Sequence, residues 1–121
     1  MTTNNNEKFT FYTSEQLAEL LDVDVEWVRY NRNRGKNPIP AKRFGYRTVV
    51  YDKKEVLEWF GRKDLTLKFY RTKKLAEKLG CSEAWLKANR ASDNPIPFRR
   101  LGYLVRYNEA EVNSWVKNNT V

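Results

Sequence analysis

One architecture is written twice in this chain. Residues 17–51 read LAELLDVDVEWVRYNRNRGKNPIPAKRFGYRTVVY, and residues 75–107 read LAEKLGCSEAWLKANRASDNPIPFRRLGYLVRY. An internal repeat of this kind folds as two like units, so function has to be read from what the copies share. The length, 121 residues, would otherwise suggest a single domain. Halved, it leaves about 55–60 residues per unit, small but enough for a well-packed core. Four Trp, seven Tyr and six Phe supply large side chains for two such cores. Trp27, Trp59, Trp85 and Trp115 are assigned there.

Taken in order, each copy opens on an aromatic stretch, residues 9–12 and 67–70, expected as a strand or extended lead-in. A first helix follows. Thr13 with Gln16 spells a capping box, whereas Ser14 aligns with Thr72, which leaves the start open by one residue. Leu17, Ala18, Leu20 and Leu21 form the buried stripe, repeated as Leu75, Ala76 and Leu79. The helix ends at Asp22 in one copy and Gly80 in the other, a place where a left-handed conformation suits glycine better than aspartate. A second helix starts almost at once, capped by Asp24 and Ser82. So short a break is a helix-turn-helix signature. At 100° per residue, Trp27, Val28 and Asn31 face inward, as do Trp85, Leu86 and Asn89. The outer face carries Glu26, Arg29 and Asn33 with Tyr30 and Arg32 on its flanks. Its counterpart carries Ala84, Lys87 and Ala91, flanked by Ala88 and Arg90.

Asn37-Pro38-Ile39-Pro40 and Asn94-Pro95-Ile96-Pro97 stop the second helix and hold the chain extended around an apolar anchor. The inward Asn31 and Asn89 need partners, for which carbonyls of this corner are expected. Hairpins span residues 42–51 and 99–107, turning at Gly45 and Gly102. Asp52 with Glu55, and Asn108 with Glu111, spell capping boxes for a closing helix. Val56, Trp59 and Phe60 of that helix recur as Val112, Trp115 and Val116. The expected organisation is a flexible tail at 1–8, domain 1 at 9–61, a linker at 62–66, domain 2 at 67–117 and a frayed tail at 118–121.

A net charge of +8 and a pI of 9.7 suggest a polyanionic partner, of which nucleic acid is the usual one. The chain has no His and one Cys, Cys81, expected as a small buried turn residue. Zinc fingers, an intrachain disulfide and Ser-His or Cys-His catalysis are thereby excluded. No apolar run approaches the roughly 20 residues of a membrane span. The polar start lacks a signal-peptide stretch. These readings describe a cytoplasmic protein that is not an enzyme and uses no metal or cofactor.

The segments LAEKLGCSEAWLKANR (75–90) and IPFRRLGYLVRYNEAEVNSWV (96–116), with their counterparts in the first copy, resemble the small winged helix-turn-helix domains of phage and plasmid excisionases, AlpA-like regulators and the MerR superfamily. The resemblance covers most of the chain. It departs from the common pattern at Trp27 and Trp85, where a small residue is usual, and in the fusion of two domains. The fold it implies is α+β: two tandem winged helix-turn-helix domains, mainly helical, with a two-stranded wing in each. The function it implies is sequence-specific binding of double-stranded DNA, as a recombination directionality factor working with an integrase. Repression or activation at a promoter beside RNA polymerase, and recognition of a packaging or replication site, are the alternatives. An adaptor docking an acidic protein is the reading from a different class.

In a helix-turn-helix the second helix enters the major groove, led by its N-terminal half. Arg29 and Lys87 are the foremost candidates for base contact, because arginine forks onto guanine O6 and N7 and lysine reaches the same edge. Glu26 is placed to accept from cytosine N4. Tyr30, Arg32, Asn33, Ala84 and Arg90 complete the base-facing set, with Arg32, Asn33 and Arg90 equally able to touch phosphate. Lys42, Arg43, Arg47, Arg99, Arg100 and Arg106 are expected along the backbone or in a minor groove. Tyr46 and Tyr103 at the wing tips are placed to bond phosphate or pack on their own hairpins. Thr13, Ser14, Arg71 and Thr72 sit at helix N-termini, which favour phosphate, although capping explains the hydroxyls equally well. A monomer acting as a pseudo-dimer gains affinity through effective concentration. Its two helices are expected in successive major grooves about 34 Å apart, on a direct or imperfect repeat.

Overall fold

The computed structural model describes residues 10–32, 34–45, 48–61 and 66–120. The expected tail at 1–8, Phe9 of the lead-in, residues 62–65 of the linker and Val121 lie outside the described residues. The chain divides into two compact units, Met1–Asp64 and Leu65–Val121. Among the described residues the architecture is α+β, with six helices and two three-stranded antiparallel sheets. Unit 1 runs β1 (Phe11–Tyr12), α1 (Ser14–Leu21), α2 (Val25–Asn31), β2 (Lys42–Phe44), β3 (Thr48–Asp52) and α3 (Lys53–Trp59). Unit 2 repeats the order with β4 (Phe69–Tyr70), α4 (Thr72–Leu79), α5 (Glu83–Asn89), β5 (Arg99–Leu101), β6 (Leu104–Asn108) and α6 (Glu109–Asn119).

Each sheet has one more strand than the expected hairpin. The lead-in joins it, giving the orders β1-β3-β2 and β4-β6-β5. Phe11 pairs with Asp52 and Tyr12 with Tyr51; Phe69 pairs with Asn108 and Tyr70 with Tyr107. The closing helix of unit 2 also outruns its expected end at 117. Asn119 holds the last turn, donating to the Trp115 carbonyl at 2.7 Å and accepting from Asn94 Nδ2 at 2.6 Å.

Helix ends follow local chemistry, with three corrections. Thr13 caps α1 in a closed box: its Oγ1 accepts from Gln16 N at 3.0 Å and Gln16 Oε1 accepts from Thr13 N at 2.9 Å. The aligned N-cap of α4 is Arg71, which makes no side-chain cap, so the two starts are not equivalent. Ser82 caps α5 through Trp85 N at 3.0 Å, but Asp24 makes no side-chain cap for α2. Asp52 and Asn108 cap α3 and α6. Glu55 and Glu111, expected to close those boxes, instead turn their carboxylates to the hairpin cations Lys42 (2.8 Å) and Arg99 (3.0 Å).

Asp22 ends α1 in the left-handed region at φ 56°, where Gly80 ends α4 at φ 72°. A Cβ is strained there. Asp22→Gly is therefore expected to stabilise unit 1 by about 0.5–1 kcal/mol, read as a higher urea midpoint.

Each unit has its own core. In unit 2, Tyr70, Leu75, Ala76, Leu86, Ile96, Tyr107 and Val112 form one buried cluster. Leu17, Leu21, Val28, Ile39, Tyr51 and Val56 are fully buried in unit 1. Side chains of this size contribute about 1.5–3 kcal/mol each on leaving water. The deepest aromatics are Tyr51, Tyr107 and Phe69, not the tryptophans. Trp27, Trp59 and Trp115 are half-buried, and Trp85 is 48% exposed. Two indoles stay at the rim because their N–H groups have work there: Trp59 and Trp115 donate to the carbonyls of Asn37 (3.1 Å) and Asn94 (3.2 Å). Cys81 is half-buried, Leu20 is half-buried and Leu79 is exposed, so the stripe of the first helices is narrower than expected.

The Pro-Ile-Pro corner is anchored as expected by buried Ile39 and Ile96. Its partners are reversed. Prolines lack an N–H, so the isoleucine amide is the corner's one donor, and it needs an acceptor. In unit 2 that acceptor is Asn89 Oδ1, 2.9 Å from Ile96 N. In unit 1 it is the main-chain carbonyl of Asn31, 3.0 Å from Ile39 N, while the Asn31 amide donates to the Trp27 carbonyl at 2.7 Å.

Candidate nucleic-acid interface

The outward faces of α2 and α5 differ in kind. Arg29 is clasped by two carboxylates, with Nη2 at 2.6 Å from Glu15 Oε2 and Nη1 at 2.8 Å from Glu26 Oε2. Glu26, a candidate acceptor for cytosine, is thus already an acceptor for Arg29. At the equivalent places unit 2 has Lys73, Ala84 and Lys87, all exposed. Lys87 has no ion-pair partner among the described residues. Ala84 and Ala88 are exposed beside it. Tyr30 is exposed and stacks with the Arg34 guanidinium, 4.6 Å from its ring centre. Asn33 lies outside the described residues.

Arg32 and Arg90 end these helices, but they point into their own units. Arg90 Nη1 donates to Tyr107 Oη at 2.8 Å and reaches Thr72 Oγ1 at 3.4 Å. Arg32 Nη1 makes the same pair of contacts, to Tyr51 Oη at 3.3 Å and Ser14 Oγ at 3.4 Å. Ser14 is itself buried and bonded to Tyr51 Oη at 3.0 Å. The reason is economical: Tyr51 and Tyr107 are too deep for water to reach their hydroxyls, so the protein must satisfy them. Ser14, Thr72, Arg32 and Arg90 are accordingly braces between the first and second helices. Thr13 is engaged by its capping box, and Arg71 is exposed at the start of α4. Tyr107→Phe is expected to lower the stability of unit 2 by about 1.5–3 kcal/mol, since it removes the acceptor of a charged donor. Denaturant unfolding beside Arg90→Met checks this.

The hairpin cations split the same way. Arg99 and Glu111 are mostly buried as a pair, with side chains 23% and 14% exposed. Lys42 and Glu55 repeat that tie at the edge of unit 1, and the Glu55 carboxylate holds the Lys42 pKa above its ordinary value, chiefly through their hydrogen bond. Arg106, a candidate for the backbone, is 8% exposed. It lies on the central strand of its sheet, flanked on both sides, and its Nη1 folds back onto the Val105 carbonyl at 2.7 Å. Arg43 and Arg100 are exposed, the latter over the Phe98 ring at 5.7 Å. Tyr103 projects from the β5–β6 turn with 85% of its surface open. Tyr46 and Arg47 lie outside the described residues.

Charge completes the contrast. Residues 14–31 carry Glu15, Glu19, Asp22, Asp24 and Glu26 against Arg29 alone, a net −4. Residues 72–89 carry Lys73, Lys74, Lys78 and Lys87 against Glu77 and Glu83, a net +2. The cations of unit 1 gather elsewhere. Arg32, Lys42 and Arg43 line an open recess of about 170 Å³ with Ala41 and Val49, and exposed Arg34 and Lys36 lie on the loop after α2. Lys73 and Lys74 in unit 2, and Arg34 and Lys36 in unit 1, are exposed cations that escape a reading confined to the second helix and the hairpin. Their signal in the sequence is only a cation without a repeated counterpart.

No group of His, Cys, Asp and Glu among the described residues is arranged to hold a metal ion, and no described helix is long and apolar enough to cross a membrane. No family model, curated protein or solved structure matches the chain.

Proposed function

We propose that this chain is a sequence-specific double-stranded DNA-binding protein made of two tandem winged helix-turn-helix units. The observation that carries the reading is the open face of α5 around Lys87, in the unit whose first two helices carry a net positive charge. Lys87 stands between Ala84 and Ala88, with exposed Arg100 and Tyr103 on the hairpin of the same unit. A helix of this width fits the major groove, and its lysine reaches guanine O6 and N7 while the alanines suit a thymine methyl. The exposed cations around it neutralise phosphates and release counterions, which supplies affinity without sequence preference.

By resemblance, the output is that of an excisionase-like factor of a phage or mobile element, directing an integrase, or of a promoter regulator acting on RNA polymerase. A promoter-reporter assay beside an excision assay separates those outputs. The binding itself is tested by titrating the full chain into a labelled random duplex, a single strand of the same sequence and an acidic polypeptide. Duplex binding at least about tenfold tighter than either competitor supports the reading. Preference for the acidic polypeptide supports the adaptor instead.

A further inference from the structure

We propose that the two units divide the work on DNA: unit 2 reads base edges with α5, while unit 1 holds phosphates from the recess lined by Arg32, Lys42 and Arg43 and leaves α2 outside the groove. This rests on the duplex-DNA reading above. The repeated architecture alone would give two reading helices. The side chains do not.

For Arg29 to reach a guanine edge it must leave Glu15 and Glu26, at 2.6 and 2.8 Å. Both carboxylates would then sit beside the phosphates that line the groove, unpaired and of like charge. The rest of α1 and α2 worsens this, since Glu19, Asp22 and Asp24 add to the same segment. Unit 2 presents the opposite case. The residues at the two clasping positions are Lys73 and Ala84, so Lys87 is released from any equivalent clasp.

What unit 1 does offer is positive charge at the far end of α2 and on the hairpin. Arg32, Lys42 and Arg43 line one recess. Arg43 is the exposed one of the three; Arg32 is engaged by Tyr51 and Ser14 and Lys42 by Glu55, so Arg43 makes the contact and Arg32 adds positive charge behind it. A phosphate group is the ligand an exposed arginine at such a recess suits, because a phosphate contact needs no reading of a base edge. Specificity then comes from one unit and added affinity from both.

The test uses the full chain. Duplexes selected from a random pool by the wild-type protein define a preferred site, and affinity is measured for that site and for a scrambled one at fixed salt. Lys87→Ala is expected to lower the preference for the selected site by at least about fivefold. Arg29→Ala is expected to select the same sequence as wild type, any change in affinity falling equally on both duplexes. Arg43→Ala should weaken both duplexes by one common factor. All three side chains are on the surface, and unfolding curves of the variants confirm the fold. A changed selected sequence in Arg29→Ala, or a lost preference in Arg43→Ala, overturns the division of labour while DNA binding stands. A wild-type chain that binds no duplex, or all duplexes alike, overturns the underlying reading instead.

Discussion

Raising the salt from about 50 to 200 mM should weaken duplex binding by about 10³-fold. The figure follows from counting cations that remain available. Arg99 and Lys42 are tied to Glu111 and Glu55, Arg106 is buried, and Arg29 is clasped by two carboxylates. Besides Lys87, assigned to base edges, the exposed cations beside the helices and hairpins include Arg34, Lys36, Arg43, Lys73, Lys74 and Arg100. About six phosphate contacts give a log–log slope near −5, and a fourfold rise in salt then costs about three decades. Binding measured by anisotropy across that range supplies the slope. A loss of less than about tenfold would mean that counterion release is not the driving force, and the basic surface would need a different partner.

The second large effect concerns stability. Asn89→Ala should destabilise unit 2 by about 2–3 kcal/mol, whereas Asn31→Ala should cost unit 1 less than about 1 kcal/mol. Sequence alone treats these residues as equivalents. Asn89 is 9% exposed, and its Oδ1 takes the Ile96 amide proton at the bottom of the Pro-Ile-Pro corner. Truncation leaves a buried N–H between two prolines with nothing to receive it. The penalty is the full desolvation of that amide, beyond the bond itself. In unit 1 the Ile39 amide goes to the Asn31 main-chain carbonyl, which alanine keeps. Only the bond from the Asn31 side chain to the Trp27 carbonyl is lost, and alanine's better helix propensity offsets part of it. Urea unfolding of the two variants beside wild type provides the comparison. Equal losses would show that the corner is not held by Asn89.

The repeat made much of the fold legible. Apolar spacing placed the six helices, the prolines placed Ile39 and Ile96 in the cores, and the aromatic lead-ins were recognised as extended. Their pairing with β3 and β6 was not foreseen, because a strand of two residues has too little pattern to declare its partner. Composition could nominate aromatics for the cores but not choose among them. Tyr51 and Tyr107 win because inward strand positions are deep and Arg32 and Arg90 are at hand to satisfy their hydroxyls.

The candidate interface was less legible, for one physical reason. A cation's availability depends on neighbours distant in sequence. Glu15 is fourteen residues from Arg29, and Glu111 is twelve from Arg99. Glu26, three residues before Arg29 where the other copy has Ala84, is the one local sign of the clasp; the second carboxylate, Glu15, comes from the first helix and has no local signal.

The most direct test of duplex recognition is selection from a random double-stranded pool followed by footprinting of the full chain on the winning sequence. The expected result is one compact motif within a longer protected stretch whose remaining bases vary freely. Enrichment of no sequence above the starting pool, with no protected stretch on any duplex, would contradict it.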